Sequence, residues 1–151
     1  KRQSKPWAMT GWRIGWLAAD PSLAVQIAKA HQYMVSSAVS FEMPAAAAAL
    51  SVDPAPMLET YRARRARVLA ALEKMGLSVV EPAGAFYVFP SIKGTGLTSE
   101  QFCTRAIEEA GVGLVPGSCF GSEGYVRLSY CVSDEDLDEG LRRLDRFVAG
   151  L

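Results

Sequence analysis

The pattern that most constrains the fold is a set of long and apolar side chains at helical spacing over residues 57–75. They recur every three or four positions and share one helix face: Tyr61, Arg65, Val68, Leu72 and Met75. Gly76 follows, and glycine readily adopts the left-handed conformation that ends helices. The Asp53-Pro54-Ala55-Pro56 stretch before the helix breaks helical spacing, so we predict a hinge there and a helix that bridges two domains.

Strand and helix patterns alternate after this helix. Short apolar stretches predict strands at residues 77–80, 85–89, 112–115 and 125–130. Thr98 and Gln101 have the spacing of a capping box and predict a helix over residues 100–110. Ser133 and Asp136 begin a last helix, and its core face comprises Leu137, Leu141, Leu144 and Val148. From about residue 57 on we therefore expect an α+β unit with helices packed on one sheet.

The preceding residues predict one strand and two helices. Aromatic and aliphatic side chains alternate with Arg13 and Gly15 over residues 12–17, which predicts a short strand. Asp20 can cap a helix whose first position is Pro21, and the apolar spacing continues to about residue 38. An alanine-rich segment over residues 44–50 predicts a second helix.

Composition favours a folded domain with small-molecule partners. Half of the 151 residues are hydrophobic, which is enough for one real core. Lysine plus arginine and aspartate plus glutamate number 16 each, so charge gives no argument for nucleic acid or an anionic membrane. The three cysteines, Cys103, Cys119 and Cys131, form no C-x-x-C pair, and we expect them in apolar surroundings as small hydrophobes, which favours a reducing, cytoplasmic location. His31 has no second ligand in view, so we expect no metal site. The arginines at positions 62, 64, 65 and 67 predict a solvated helix face.

The residues with the clearest chemistry are Lys5 and Arg13, which lie eight positions apart in an apolar segment with glycines. A lysine amine attacks a carbonyl only when it is unprotonated, and apolar or cationic neighbours favour that state. Arg13 keeps its charge, and its planar guanidinium suits phosphate or carboxylate. The pair indicates a nucleophile beside an anion-binding group.

The segment SKPWAMTGWRIGW over residues 4–16 resembles the lysine segment of class I/II aminotransferases of fold type I, which use pyridoxal phosphate. The resemblance implies that Lys5 forms a Schiff base with the cofactor and then moves the proton between the substrate and the cofactor. It implies that Arg13 holds the cofactor phosphate, and it makes Ser4 a candidate for a further phosphate contact.

Two further motifs follow in the order of the same family. PAGAFYVF over residues 82–89 is similar to a strand of its smaller domain, and PGSCFG with YVRLSY over residues 116–130 is similar to its carboxylate-binding strand. The resemblance implies that Arg127 binds the substrate α-carboxylate. Alternation along the strand alone leaves Arg127 facing either solvent or an anion.

The resemblance implies an architecture that is α/β overall and a C-terminal portion of an aminotransferase. We expect residues 1–52 to be a remnant of the large cofactor-binding domain, residues 53–76 a linking helix, and residues 77–151 the small α+β domain. The implied reaction exchanges an amino group between an L-amino acid and a 2-oxo acid in a homodimer. Because only four residues precede Lys5, we expect the chain alone to be inactive.

Two other functions on the same fold remain open from the sequence. One is the pyridoxal-phosphate-sensing half of a transcription regulator, which binds the cofactor without turnover. The other is a β-lyase. The identity of the amino acid does not follow from these motifs.

Overall fold

The computed structural model describes residues 5–151, and this part of the chain has a mixed α/β architecture, as predicted. The helices are α1 Pro21–Val35, α2 Glu42–Ala49, α3 Ala55–Lys74, α4 Ser99–Ala110 and α5 Asp134–Ala149. The strands are β1 Tyr87–Val88, β2 Val115–Pro116 and β3 Val126–Ser129. The chain divides into two compact units, the first ending at Glu59 and the second running from Thr60 to Leu151.

The first unit contains α1 and α2. The Asp20 carboxylate accepts a hydrogen bond from the Ser22 N–H at 2.9 Å, so the predicted cap of α1 is confirmed. The helix ends at Val35, earlier than predicted, where Ser36 takes a positive φ of 60°. The Trp7 indole donates to the Val52 carbonyl oxygen at 2.9 Å and joins the two ends of the unit.

The strand predicted over residues 12–17 is wrong. Thr10–Trp12 form a 3₁₀ turn, Arg13 takes a left-handed conformation, and residues 14–20 have no regular structure. A strand needs a neighbour for its backbone N–H and C=O groups. Among the described residues of the first unit there is no strand to supply one.

The second unit is built around a continuous hydrophobic core. Helix α3 contributes Val68 and Leu72, both fully buried, and ends where Gly76 adopts a φ of 72°. It begins at Ala55, two residues before the predicted start, because the Asp53 carboxylate accepts a hydrogen bond from the Ala55 N–H at 2.9 Å. The core cluster contains fifteen buried residues from α3, α4, α5, the strands β1 and β3, and neighbouring loops.

The sheet is antiparallel with strand order β1, β3, β2. Val88, Val126 and Leu128 are buried on one face of it, whereas Tyr87 and Arg127 lie on the other. The strands are shorter than the sequence predicts, and β2 begins at Val115. The strand predicted over residues 77–80 is wrong, because that segment makes isolated backbone hydrogen bonds in place of a ladder: the Leu77 N–H donates to the Leu72 carbonyl oxygen and the Ser91 N–H donates to the Ser78 carbonyl oxygen.

Helices α4 and α5 pack against each other, and both have the caps that the sequence predicts, although α4 begins at Ser99, one residue before the predicted start. The capping box of α4 has both of its hydrogen bonds, between Thr98 and Gln101. The Ser133 hydroxyl oxygen accepts from the Asp136 N–H at 3.0 Å at the start of α5. Four α5 side chains are buried on its core face: Leu137, Leu141, Leu144 and Phe147. Val148, predicted for that face, is half-buried.

Arginines of α3 form ion pairs and hydrogen bonds with other segments, whereas the sequence predicted a solvated face. Arg64 pairs with Asp134 at 2.8 Å and Arg67 pairs with Asp138 at 3.0 Å, so both tie α3 to the start of α5. Hydrogen bonds from Arg64 and then Arg67 lower the pKa of Asp134. Arg65 donates to the Pro82 carbonyl oxygen at 2.7 Å. In the part of the chain that the structure describes, no helix is long and apolar enough to cross a membrane.

Candidate active site

The lysine segment begins with a turn in the first unit. The Ala8 N–H donates to the Lys5 carbonyl oxygen at 3.3 Å, and residues 5–8 belong to neither a helix nor a strand. Trp7 is half-buried and Met9 is buried, but Lys5 is exposed. The apolar environment that the sequence suggests therefore holds for neighbours of Lys5 and not for Lys5 itself.

Arg13 ends the Thr10–Trp12 turn in a left-handed conformation, with a φ of 51°. Its Nη1 donates to the Thr10 carbonyl oxygen at 3.1 Å, and the side chain is exposed. A left-handed conformation costs a non-glycine residue roughly 1–2 kcal/mol. Ala8 adopts it as well, with a φ of 54°. Two such residues in one short segment indicate backbone strain, and strain of this kind clusters at functional sites.

The charged groups of the lysine segment are all cationic. Residues 5–19 contain Lys5 and Arg13 and neither aspartate nor glutamate. A primary amine can attack an aldehyde, and a guanidinium can bind a phosphate through two parallel hydrogen bonds. This donor set fits a phosphorylated aldehyde such as pyridoxal phosphate. A Cβ at Gly11 or Gly15 would meet nothing within 4 Å, so the space at both positions is open. Ser4, the other predicted phosphate contact, lies outside the described residues.

Arg127 lies in the middle of β3 in the second unit. Its neighbours Val126 and Leu128 are 1% and 6% exposed and belong to the core. Successive strand residues point to opposite faces, so Arg127, which is half-buried, lies on the face turned away from the core. Arg127 therefore faces away from the core, and the choice between solvent and an anion stays a prediction.

Two aromatic rings lie against the Arg127 guanidinium. Its central carbon is 4.6 Å from the centre of the Tyr87 ring and 4.9 Å from the centre of the Phe120 ring. Both distances are within the range of cation–π contact. Across residues 5–151 no carboxylate forms an ion pair with Arg127. The guanidinium therefore lies against two rings and has no acidic partner among the described residues.

The turn that carries Phe120 is anchored to α4 by one carboxylate. Glu123 accepts hydrogen bonds from the Ser99 N–H at 2.6 Å, the Ser99 hydroxyl at 2.9 Å and the Gly124 N–H at 2.9 Å. The Ser99 hydroxyl oxygen in turn accepts from the Ser118 N–H at 3.2 Å. Hydrogen bonding, first from the Ser99 backbone, lowers the pKa of Glu123. We call Glu123, Ser99 and Ser118 the turn anchor.

Residues 3–144 match the family described as aminotransferase class I and II. The chain belongs to the class I and II aminotransferases.

Curated aminotransferases match nearly all of the chain. A probable N-acetyl-LL-diaminopimelate aminotransferase from Bacillus subtilis is 51% identical over 96% of the chain, and an aspartate aminotransferase from Pyrococcus horikoshii is 41% identical over 97%. The chain covers only 38% and 40% of the lengths of these relatives. Aminotransferases of this class depend on pyridoxal phosphate, which agrees with the cofactor predicted from the sequence.

Solved aminotransferase structures share the fold. The aromatic aminotransferase from Pyrococcus horikoshii superposes with a TM-score of 0.91 at 42% identity, covering 97% of this chain and 41% of that one. The aspartate aminotransferase from Thermotoga maritima gives 0.91 at 40% identity, covering 97% and 38%. The predicted family and fold type are confirmed.

Within this aminotransferase chain, the predicted site residues belong to different units. Lys5 and Arg13 share the first unit and one segment, and Arg127 belongs to the second unit. The sequence alone does not reveal the rings around Arg127 or the turn anchor. The alternation of Tyr87 with buried Val88 is the one signal that places an aromatic ring on the Arg127 face. Nothing in the sequence links Glu123 to Ser99.

The cysteines differ in their surroundings. Burial raises the pKa of the Cys103 thiol to about 11, whereas Cys119 and Cys131 are exposed, contrary to the apolar surroundings predicted for all three. None of the three is in a disulfide. Among the described residues, no cluster of histidine, cysteine, aspartate and glutamate could hold a metal ion.

Proposed function

We propose that this chain is part of a pyridoxal-phosphate aminotransferase that exchanges an amino group between an L-amino acid and a 2-oxo acid. The observation that carries the proposal is Arg127. In a chain of this family, it presents a charged guanidinium without an acidic partner among the described residues, on the sheet face away from the core. An amino acid and a 2-oxo acid share a carboxylate beside the reacting carbon, so one arginine can bind both substrates.

Each cation has a distinct task in this proposal. Pyridoxal phosphate, when bound, supplies an electron sink for the substrate α-carbon. Lys5 would hold the cofactor covalently through Nζ until the substrate amine displaces it, and the freed Nζ would then take the proton from the substrate α-carbon and deliver it to the cofactor carbon that it had held. Arg13 binds the phosphate, with Ser4 as a second donor. Strain at Ala8 and Arg13 and the absence of acids from residues 5–19 support these roles.

Arg127 binds the α-carboxylate through two parallel hydrogen bonds. That geometry orients the substrate as well as attracting it, because a planar guanidinium matches a planar carboxylate. The relatives' names provide amino-donor candidates: aspartate, aromatic amino acids and N-acetyl-LL-diaminopimelate.

Assembly as a homodimer and a cytoplasmic location complete the proposal. Several apolar side chains of the first unit are exposed, among them Tyr33 at 92% and Met34 at 80%. Apolar surface of this kind favours contact with further protein surface. Three cysteines without a disulfide favour a reducing compartment.

The deciding experiment traps the cofactor on its lysine. Borohydride reduces a lysine–aldehyde linkage to a stable amine, so mass spectrometry of peptides from the treated full-length protein should find the pyridoxyl group on Lys5. A Lys5→Ala protein should show no such adduct. An adduct on another lysine would overturn the assignment. The absence of any adduct from the treated protein that retains Lys5 would do so as well.

Turnover is tested separately with the three donor candidates and with pyruvate or 2-oxoglutarate as acceptor. Transamination requires that a new amino acid form in step with loss of the donor. A 2-oxo acid released together with ammonia and without an acceptor would instead identify a lyase. Cofactor binding without any product would favour the sensor alternative. The prediction that the 151-residue chain alone is inactive is checked in the same assay.

A further inference from the structure

The orientation of Arg127 is set by aromatic rings. An arginine side chain has several rotatable bonds and loses rotamer freedom when it binds an anion. A partner carboxylate could hold it in place, but that would neutralise the charge that the substrate needs. Tyr87 and Phe120 restrain the guanidinium at 4.6 and 4.9 Å without removing its charge.

The two rings come from different parts of the second unit. Tyr87 belongs to β1, which pairs with β3, so the sheet itself fixes its distance from Arg127. Phe120 belongs to the Gly117–Phe120 3₁₀ turn, outside the sheet, and is 49% exposed. The position of the Phe120 ring therefore depends on the contacts that hold this turn in place.

The turn is held from three sides. The Phe89 ring meets the Phe120 ring edge-on, with centres 6.0 Å apart and planes at 82°. The Gly117 N–H donates to the Tyr125 carbonyl oxygen at 2.8 Å. The turn anchor joins the same turn to the first residue of α4 through Ser99, which is completely buried. Each contact restricts where the Phe120 ring can lie.

We propose that Phe120 and Tyr87 are positioning residues that hold Arg127 in its carboxylate-binding orientation, and that Glu123 maintains Phe120 there through the turn anchor. The inference rests on the proposed role of Arg127. A preorganised guanidinium loses less side-chain entropy when the substrate binds, so the rings strengthen binding of the amino acid without contacting its reacting atoms.

A double-mutant cycle in the full-length protein tests the inference, with KM and kcat measured for the best of the three donor candidates. Arg127→Gln should raise KM on the order of a hundredfold, because it removes a charged hydrogen-bonding partner. Phe120→Leu should raise KM about fivefold with kcat within about twofold, because only the restraint on Arg127 is lost. Phe120→Tyr retains the ring and should restore the original KM.

The decisive value is KM of the double variant. If Phe120 acts through Arg127, Phe120→Leu should add less than about twofold to KM in the Arg127→Gln protein. Calorimetric titration with 3-phenylpropionate, a carboxylate without an amino group, gives a readout independent of turnover and should show the same pattern.

The outcomes separate this inference from the proposed function. Additive effects of the two substitutions, or no effect of Phe120→Leu, would overturn the positioning role and leave Arg127 as the carboxylate ligand. An unchanged KM in Arg127→Gln would overturn the proposed role of Arg127 itself.

A second variant tests the turn anchor. Glu123→Gln retains the size of the side chain but removes the charge that three donors share, so KM should rise about two- to threefold without a loss of cofactor. Glu100→Gln, an exposed change at the next α4 residue, is the matched control and should leave KM unchanged. If the Glu123→Gln protein has the same KM as the control, Glu123 does not help to position Phe120 and Arg127.

Discussion

Arg13 and Arg127 carry the same guanidinium but are supported in opposite ways. Arg13 is exposed on a strained turn, and among residues 5–151 its side chain makes one hydrogen bond, to Thr10. Arg127 lies in a paired strand, half-buried between two rings. The second arginine is therefore preorganised by its own unit. Within the described residues, few contacts hold the Arg13 side chain in one orientation.

The same contrast extends to the cores of the two units. In residues 5–59 the buried hydrophobic residues are Met9 and Ala46, whereas the second unit has a cluster of fifteen. A cluster of that size can hold a strand and a turn in fixed positions, because close packing makes displacement costly. A functional side chain is therefore positioned more firmly where its backbone rests on a large packed core.

The largest predicted effect is on stability and contrasts the two cores. Leu72→Ala, at a completely buried position of α3, should lower the free energy of unfolding by about 2–5 kcal/mol. Leu23→Ala, at a position of α1 that is 55% exposed, should change it by less than about 0.5 kcal/mol. Chemical denaturation of the 151-residue chain measures both. Equal losses would show that the first unit has a comparable core.

The second prediction compares the loss of Arg13 with the loss of Arg127. In the full-length protein, Arg13→Gln should weaken retention of pyridoxal phosphate about tenfold or more while it leaves the KM of the amino acid nearly unchanged at saturating cofactor. Arg127→Gln should do the reverse. Cofactor absorbance after dialysis and steady-state kinetics distinguish the two. Loss of cofactor in the Arg127→Gln protein would contradict the separation of roles.

The third prediction concerns space at two glycines. A Cβ at Gly117 would lie 2.2 Å from the Ser122 carbonyl oxygen and 2.4 Å from that of Tyr125, so Gly117→Ala should cost about 2 kcal/mol. A Cβ at Gly15 would meet nothing within 4 Å, and Gly15→Ala should change stability by less than about 1 kcal/mol. Thermal unfolding of the chain compares them. A tolerated Gly117→Ala would mean that the turn carrying Phe120 is loosely held.

The smallest predicted effect is the acid sensitivity of the second unit. Hydrogen bonds from Arg142 and then Arg143 lower the pKa of Glu139 from its ordinary value of 4.5 to about 2. The folded state therefore binds this proton less readily than the unfolded state does. The stabilisation is complete above pH 4.5 and is lost as the pH falls towards 2.

Urea midpoints measured across that pH range check this prediction. Glu139→Gln should flatten the acid side of the profile, and added salt should do so partly, because the pairs are exposed and screened. Glu135→Gln, at an exposed carboxyl in the first turn of the same helix, is the control. A profile unchanged by Glu139→Gln would remove these pairs from the acid response.

Local patterns predicted much of the fold correctly. The caps at Asp20, Thr98 and Ser133 and the stop at Gly76 match the structure, because each depends on side chains within a few residues. The strands were predicted less well, and two of them, over residues 12–17 and 77–80, are absent. A strand depends on a distant partner for its hydrogen bonds, and no local pattern reports whether that partner is present.

For the candidate site, the sequence alone specifies the chemistry: the lysine, the two arginines and the family to which their motifs belong. Their roles in binding and turnover stay predictions. Tertiary structure decides which face Arg127 occupies, which rings hold it and which carboxylate anchors the turn beside it. Motif residues are neighbours along the chain, but Tyr87, Glu123 and Ser99 meet their partners only after strands pair and α4 packs against the sheet, because those contacts join positions far apart in sequence.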